Sequence, residues 1–375
     1  MLEATTERGK HVILFGEAGV GKTSLAKLFG GFFPSTLRHI QVIREQADPN
    51  DTFTTIWRKV FKDLHIKALK NSQEELTPLA EFYKGDITPD DVRRELEGLF
   101  GPNDLPIIII DEFNKVLDRD VHALMANTLK SLSDYGVNVT LIIVGVADNV
   151  NELIGEHSSI TRCLEQILMP RMNPSERKEI LDKIIPKLGM TIHPDALWKI
   201  VNLSRGLPSY VHLLGLYSAQ SALERHALQI AEVDVDKAIE RALEKCQESI
   251  QENYAKAVHS NRADHLYRQV LLACALADTD ERGTFTQLSV CDPLAGILRR
   301  EGNVEIAAFQ QHLKKFITEE RGKILIRRGR ERAYRFRFSD PMMQPYVIMK
   351  GIEQGLVSAN AMKALSFPAQ RKLAI

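Results

Sequence analysis

The sequence predicts an α/β core on a parallel sheet, followed by an all-helical module and then helices closed by a β-hairpin. Three observations carry this. Apolar runs alternate with helix-period segments through residues 1–170, the pattern of strands joined by crossover helices. One of those runs, Pro106–Ile110, is continuous rather than alternating, which suits a strand buried on both faces of a parallel sheet. From residue 173 the strand signals give way to successive helix starts, and short alternating runs return only at 323–338.

The expected core strands lie near 11–16, 37–43, 106–111, 139–145 and 165–169. Thr36–Ile43 is the candidate for the strand between the first and the central one. Asp51–Leu69 and Pro89–Phe100 are expected as helices, with 71–88 a loop. Val121–Tyr135 carries Val121, Leu124, Met125, Thr128, Leu129 and Leu132 at helical spacing and stops at Gly136. Asn173-Pro174-Ser175-Glu176 starts a helix, with Asn as cap, Pro in the first turn and Glu at the third position. His193-Pro194-Asp195 starts another, Gly206-Leu207-Pro208 breaks and restarts, and Val233–Ser249 closes the helical set. Further on, Arg262–Ala277, Phe285–Arg300 and Val304–Glu320 are expected as helices. Lys323–Arg328 and Ala333–Phe338 are expected as a hairpin around Gly329–Arg332. Three helices and a hairpin make a winged-helix pattern. The resulting division is 1–172 for the core, 173–255 for the helical module, 256–350 for the winged helix and 351–375 for a weakly patterned tail. Phe338–Tyr346, rich in aromatic residues and methionine, is expected to pack the wing back onto the helices.

With 375 residues the chain exceeds one typical domain. It has 49 basic and 49 acidic residues, so any attraction to nucleic acid must come from a local patch. Four cysteines without a C-x-x-C pair argue against a zinc site or a disulfide framework and suit a reducing compartment. A polar start and no long apolar run imply neither signal peptide nor membrane span, and a cytoplasmic location. The histidines are scattered, with no metal-ligand pair and no Ser-His-Asp or Cys-His set.

The chemistry is announced near the start. Gly16-Glu17-Ala18-Gly19-Val20-Gly21-Lys22-Thr23 fits G-x-x-x-x-G-K-[ST] between the apolar His11–Phe15 and a helical stretch opening at Ser24. Glycines there let backbone N–H groups point at a phosphate, and the helix start adds a favourable field. Lys22 is expected to reach the β- and γ-phosphates and Thr23 to ligate Mg²⁺. About 90 residues later, Asp111-Glu112 ends the central strand. Asp111 is placed to hold Mg²⁺ through water, and Glu112 to orient or deprotonate an attacking water.

Together these features resemble the AAA+ ATPases, with the origin-recognition and clamp-loader branch closest and the STAND signalling ATPases next. The resemblance spans residues 1 to about 350, with its specific motifs in the first 210. It implies a parallel-sheet P-loop core, a helical lid and a C-terminal winged helix, with ATP and Mg²⁺ as cofactors. Ser159-Ile160-Thr161-Arg162-Cys163 falls where clamp loaders carry a Ser-Arg-Cys element. The resemblance therefore makes Arg162 the candidate finger toward a neighbouring subunit's γ-phosphate, with Arg171 the alternative. Two positions depart from the family pattern. Asp148 stands where Asn, Ser or Thr usually helps place the water, with Asn149 a possible substitute. In Arg205-Gly206-Leu207-Pro208-Ser209, Ser209 holds the lid arginine's place, although the Gly-x-Pro turn, and with it Pro208, suits the lid contact of STAND proteins. Arg205 is the candidate to compensate. Tight nucleotide binding and a low basal ATPase rate are expected.

Between His312 and Arg337 lie ten Lys or Arg residues against Glu319, Glu320 and Glu331. Arg335 and Arg337 alternate with Tyr334, Phe336 and Phe338, giving one basic and one apolar face. Lys314 on the helix and Arg327, Arg328, Arg330 and Arg332 on the wing are the candidate contacts to DNA phosphates, with Gln310 and Gln311 nearest a groove. The expected function is an ATP-dependent switch that self-assembles and acts on DNA or a DNA-bound protein partner, in a replication, transposition or anti-phage setting. The alternative is a signalling or scaffold ATPase that controls a partner effector without touching DNA. No membrane partner is expected.

Overall fold

Ile107, Ile108, Ile109 and Ile110 are all fully buried, as a parallel strand covered on both faces requires. In the computed structural model, which describes residues 1–33, 39–70, 73–101, 103–155, 158–260, 266–299, 304–329 and 333–357, they sit in the middle of a sheet. The chain divides into two units. One comprises Met1–Glu17 and Gly21–Met169, the other Ala18–Val20 and Pro170–Ile375.

The strands of the first unit are β1 (His11–Gly16), β2 (His39–Gln46), β3 (His65–Lys70), β4 (Gln73–Pro78), β5 (Asp104–Asp111), β6 (Thr140–Val146) and β7 (Leu164–Leu168). Five of them form one all-parallel sheet in the order β2-β5-β6-β1-β7. Ile13 of β1 lies level with Ile143 of β6, and Ile143 with Ile110 of β5. Gly16 and Asp111 therefore leave the sheet at the same, carboxyl, end, one strand apart. That end is where α/β sheets bind ligands.

Alternate residues of each strand face opposite cores. Ile13, Phe15, Ile108 and Ile110 pack with Trp57 and Phe61 of helix Phe53–Asp63, with Val92 and Leu96 of Pro89–Leu99, and with Met125 and Leu129 of Arg119–Asp134. Val12, Leu14, Ile107 and Ile109 face Ala26 and Phe29 across the other side.

The strand expectations hold within a few residues; the part of Thr36–Ile43 before His39 lies outside the described residues. The stretch 51–88 differs. The helix stops at Asp63: Leu64 continues the buried stripe of Phe53, Ile56, Trp57, Val60 and Phe61 but takes an extended backbone. His65–Lys70 then pairs antiparallel with Gln73–Pro78, inside the expected loop.

In the second unit, Asn173 and Glu176 form the capping box that the sequence predicts, with the Asn173 N–H donating to Glu176 Oε2 (2.7 Å) and the Glu176 N–H to Asn173 Oδ1 (3.0 Å). Helices Pro174–Ile184, Pro194–Leu203, Pro208–Glu224 and Glu232–Glu244 follow. The last ends earlier than expected, and Glu248–Val258 is a separate helix. Helix Tyr267–Leu276 is buried on nearly every side; the start of the expected Arg262–Ala277 helix lies outside the described residues.

Phe285–Thr286 is a strand rather than helix, pairing with Arg335–Phe338, which in turn pairs with Leu325–Arg328. Helix Leu288–Leu298 follows it. Val304–Glu320 resolves into two 3₁₀ turns flanking helix Gln310–Phe316. Phe336 and Phe338 are buried while Arg335 and Arg337 alternate with them, half-buried. Phe338, Met343 and Tyr346 pack inward, the last two on helix Met343–Glu353, which the sequence pattern did not predict. Among the described residues no helix is long and apolar enough to cross a membrane.

Candidate nucleotide site

β1 is buried along its whole length and delivers the glycine-rich loop. A side chain at Gly16, where φ is +149°, would put its Cβ 2.5 Å from the Met169 carbonyl oxygen. Gly21, at φ +102°, caps helix Lys22–Leu28 without a side-chain hydrogen bond. Only glycine adopts these backbones at no steric cost.

Lys22 is the centre of charge. It is buried, and its Nζ donates to the carbonyls of Gly16 (3.1 Å) and Glu17 (2.6 Å). Burial pulls its pKa down to about 8, against the opposing pull of Glu112, Asp111 and Glu17. The ammonium is thus folded back onto its own loop, where it satisfies carbonyls that an anionic ligand would not need.

Asp111, at the end of β5, is only 1% exposed. Its Oδ1 accepts from Thr23 Oγ1 (3.3 Å) and from the Glu112 N–H (2.9 Å). Its Oδ2 accepts from Arg44 Nη2 at 2.7 Å. Thr23 and Asp111 therefore bring a hydroxyl and a carboxylate together, the hard oxygen donors that suit Mg²⁺. Among the described residues no group of three or more His, Cys, Asp or Glu could hold a metal, so remaining ligands would be phosphate and water, as is usual for this ion. Glu112 follows with φ +59°, and its carboxylate, partly exposed, faces Lys115 Nζ at 3.4 Å.

Two residues here were not singled out from sequence. Arg44 lies on β2 opposite Ile109 of β5, two residues before Asp111 and on the same face, and its side chain reaches diagonally to the carboxylate. Asn114 Oδ1 accepts from the Val146 N–H (2.7 Å), tying the turn after β5 to the end of β6. Gly145 keeps this junction tight, since a Cβ there would meet Leu153 Cδ2 at 2.6 Å. The Asp148 N–H donates to Glu152 Oε2 (2.9 Å), and Asn149 exchanges hydrogen bonds with Glu152.

The site brings together Gly16, Glu17, Gly21, Lys22, Thr23, Asp111 and Glu112, with Ser24 in the helix that follows. Arg162 is elsewhere in the same unit. Its carbonyl accepts from Lys10, which precedes β1, and its exposed guanidinium faces Asp134 at 3.7 Å. That is the amino end of the sheet, about 15–20 Å from the loop at roughly 3.3 Å per residue of β1.

Ala18–Val20, and with them Gly19, are grouped with the second unit. There Pro208 opens helix Pro208–Glu224 and is buried. Arg205 is half-buried with φ +48°, donates to the Ala277 carbonyl (2.6 Å), and has its pKa lowered to about 10, first by desolvation of its guanidinium and then by the nearby Arg171 and Arg177. Arg171 donates to the Arg205 carbonyl (3.2 Å) and to Gln344 Oε1 (2.5 Å). Both arginines are thus engaged in holding this unit together.

On the basic segment, Lys314, Arg327 and Arg328 are exposed, and Arg327 lies over the Tyr334 ring at 4.3 Å. Arg330 and Arg332 lie outside the described residues. Arg321 lies over the Tyr267 ring at 4.0 Å, and Arg335 pairs with Asp280 at 3.0 Å.

No curated protein matches the chain. Among solved structures it is similar to the Aeropyrum pernix ORC2 protein in its ADPNP–ADP complexes, at 14% identity over 98% of this chain and 89% of that one, TM-score 0.49. It is also similar to the Thermotoga maritima RuvB Holliday junction branch migration motor, at 16% identity over 93% and 88%, TM-score 0.45. Cdc6p from Pyrobaculum aerophilum matches at 15% identity over 93% and 90%, TM-score 0.43. The part of the chain that carries Lys22, Thr23, Asp111 and Glu112, residues 5–154, matches the protein-family model described as "AAA domain".

Proposed function

We propose that the chain is an AAA+ molecular switch that binds ATP with Mg²⁺, hydrolyses it slowly, assembles with itself and acts on DNA or a DNA-bound partner. The convergence of Lys22, Thr23 and Asp111 at the carboxyl ends of β1 and β5 carries the reading. Residues 173–255 serve as lid and 256–350 as winged helix.

In this reading the backbone of Gly16 to Ser24 wraps the phosphates, and Lys22 exchanges the carbonyls of Gly16 and Glu17 for phosphate oxygens. Thr23 and Asp111 hold Mg²⁺, which when bound neutralises charge on the phosphates. Glu112 orients the attacking water and takes its proton. Arg162, remote from its own chain's loop, reaches the site of a neighbouring copy, where a guanidinium stabilises the transferring phosphoryl group. An acid at Asp148, a serine at Ser209 and the engagement of Arg205 with Ala277 support a low basal rate. Calorimetric titration with ATP and Mg²⁺ tests the core of this proposal. Wild type should bind, and Lys22→Ala should lose most of the affinity. A wild-type chain that takes up no adenine nucleotide would overturn the reading.

A second reading, a signalling or scaffold ATPase without DNA contact, is favoured by one observation. Arg321 and Arg335, part of the basic segment, are used inside the second unit. Binding to duplex DNA over a range of salt separates the two: no affinity at low salt, with or without ATP, favours the scaffold.

A further inference from the structure

Asp111 is buried in a site built for a polyanion, and its charge is already matched without metal. Its two oxygens receive three donors: Thr23 Oγ1 and the Glu112 N–H on Oδ1, and Arg44 Nη2 on Oδ2. Only Arg44 brings a full positive charge, at 2.7 Å. Among the described residues Asp111 is the polar partner of that guanidinium, whose Nε is buried without one. Arg44 is mostly buried too, so water screens the pair only partly. The sheet places the two groups on one face: Arg44 on β2 stands opposite Ile109 of β5, and Asp111 is the next residue of β5 on that face, within diagonal reach of the guanidinium.

A carboxylate beside the phosphates of a nucleotide repels them unless a cation stands between. In most sites of this kind that cation is the metal. We propose that Arg44 is a positioning residue that neutralises Asp111 and so loosens the dependence of nucleotide binding on Mg²⁺. The ion pair removes part of the repulsion when the metal is absent. When the metal is present, the same pair opposes it, because Arg44 already holds one of the oxygens of Asp111. Both effects narrow the gap between affinities with and without Mg²⁺. The inference rests on the reading of this pocket as a nucleotide site.

The test measures the Kd of a fluorescent ADP in excess Mg²⁺ and in EDTA, for wild type, Arg44→Gln, Arg44→Lys, Asp111→Asn and the double variant Arg44→Gln/Asp111→Asn. The readout is the ratio of the EDTA value to the Mg²⁺ value. Arg44→Gln should raise this ratio by on the order of tenfold, since one nearby unit charge is left uncompensated. Arg44→Lys, which keeps the charge, should stay close to wild type. Asp111→Asn, which leaves Arg44 uncompensated, should bind more tightly in EDTA, and adding Arg44→Gln in its background, which restores a neutral pair, should return the EDTA affinity toward that of wild type. An unchanged ratio in a folded Arg44→Gln protein would overturn the inference and reduce Arg44 to a structural strut. If Arg44→Gln does not fold, Asp111→Asn decides: weaker binding in EDTA, to the same degree as in Mg²⁺, overturns the proposal. Absence of binding by wild type in both buffers would instead bring down the nucleotide reading itself, and this inference with it.

Discussion

Arg162 Nη2 stands 3.7 Å from Asp134 Oδ1 at the amino end of the sheet, whereas Lys22 stands at its carboxyl end. A guanidinium so placed has no route to its own chain's loop without unravelling the start of β7. If Arg162 serves as a finger, it serves another copy. Arg162→Ala should lower turnover by roughly 10³-fold or more while leaving nucleotide affinity within a few-fold. Mixing it with Lys22→Ala should restore part of the phosphate release, because an intact loop on one copy can then meet an intact arginine on the other. No recovery on mixing would exclude action between copies.

Lys22 gives the site a pH dependence of definite sign. Its pKa without nucleotide is about 8, below the ordinary lysine value of 10.5, chiefly through burial. Phosphates favour the charged form, so nucleotide binding should raise that pKa. Below pH 8 the ammonium is charged with or without nucleotide, and this group adds no pH dependence. Above pH 8 binding must take up a proton, so affinity should fall by up to about tenfold per pH unit. Calorimetry at pH 9 in buffers of differing ionisation enthalpy measures the uptake directly, and Lys22→Arg, whose guanidinium stays charged at this pH, should abolish it.

Glu112 is partly exposed and paired loosely with Lys115 at 3.4 Å, so its loss should leave the pocket intact. Glu112→Gln should retain nucleotide affinity and slow hydrolysis by about 10²–10⁴-fold. The ATP-loaded species should then persist, and light scattering should show a larger particle with ATP than with ADP. A size independent of nucleotide would count against assembly linked to ATP.

For the basic wing, the expected behaviour is electrostatic. Neutralising Arg327 and Arg328 together should weaken duplex binding and flatten the plot of log affinity against log salt, by about one unit for each phosphate that is no longer neutralised. An unchanged slope would remove these two residues from any DNA interface.

Much of the core was legible because its signals are local. The Ile107–Ile110 run, the Gly16–Thr23 loop and the Asn173–Glu176 capping box each contain their own physical reason within a few residues. The β3–β4 hairpin carries no such mark. Glu74, Glu75 and Leu76 are exposed in a polar strand with no apolar alternation to announce it. Phe285–Thr286 is too short to interrupt the helical pattern around it, and is a strand only because Arg335 and Phe336 lie opposite. In the candidate site the glycine-rich loop and the acids Asp111 and Glu112 could be picked out from local sequence, whereas Arg44 could not. Its link to Asp111 crosses 67 residues of chain and exists only through sheet register.

Glu112 occupies a left-handed backbone, φ +59°, that costs most side chains on the order of 1 kcal/mol and glycine almost nothing. The acid on which turnover is proposed to depend is therefore held where the fold would prefer something simpler. Copies that trade it for glycine should melt above those that trade it for alanine, a comparison thermal denaturation can make. If the proposed role of Glu112 holds, the glycine form should therefore be sturdier than the alanine form and equally unable to turn nucleotide over.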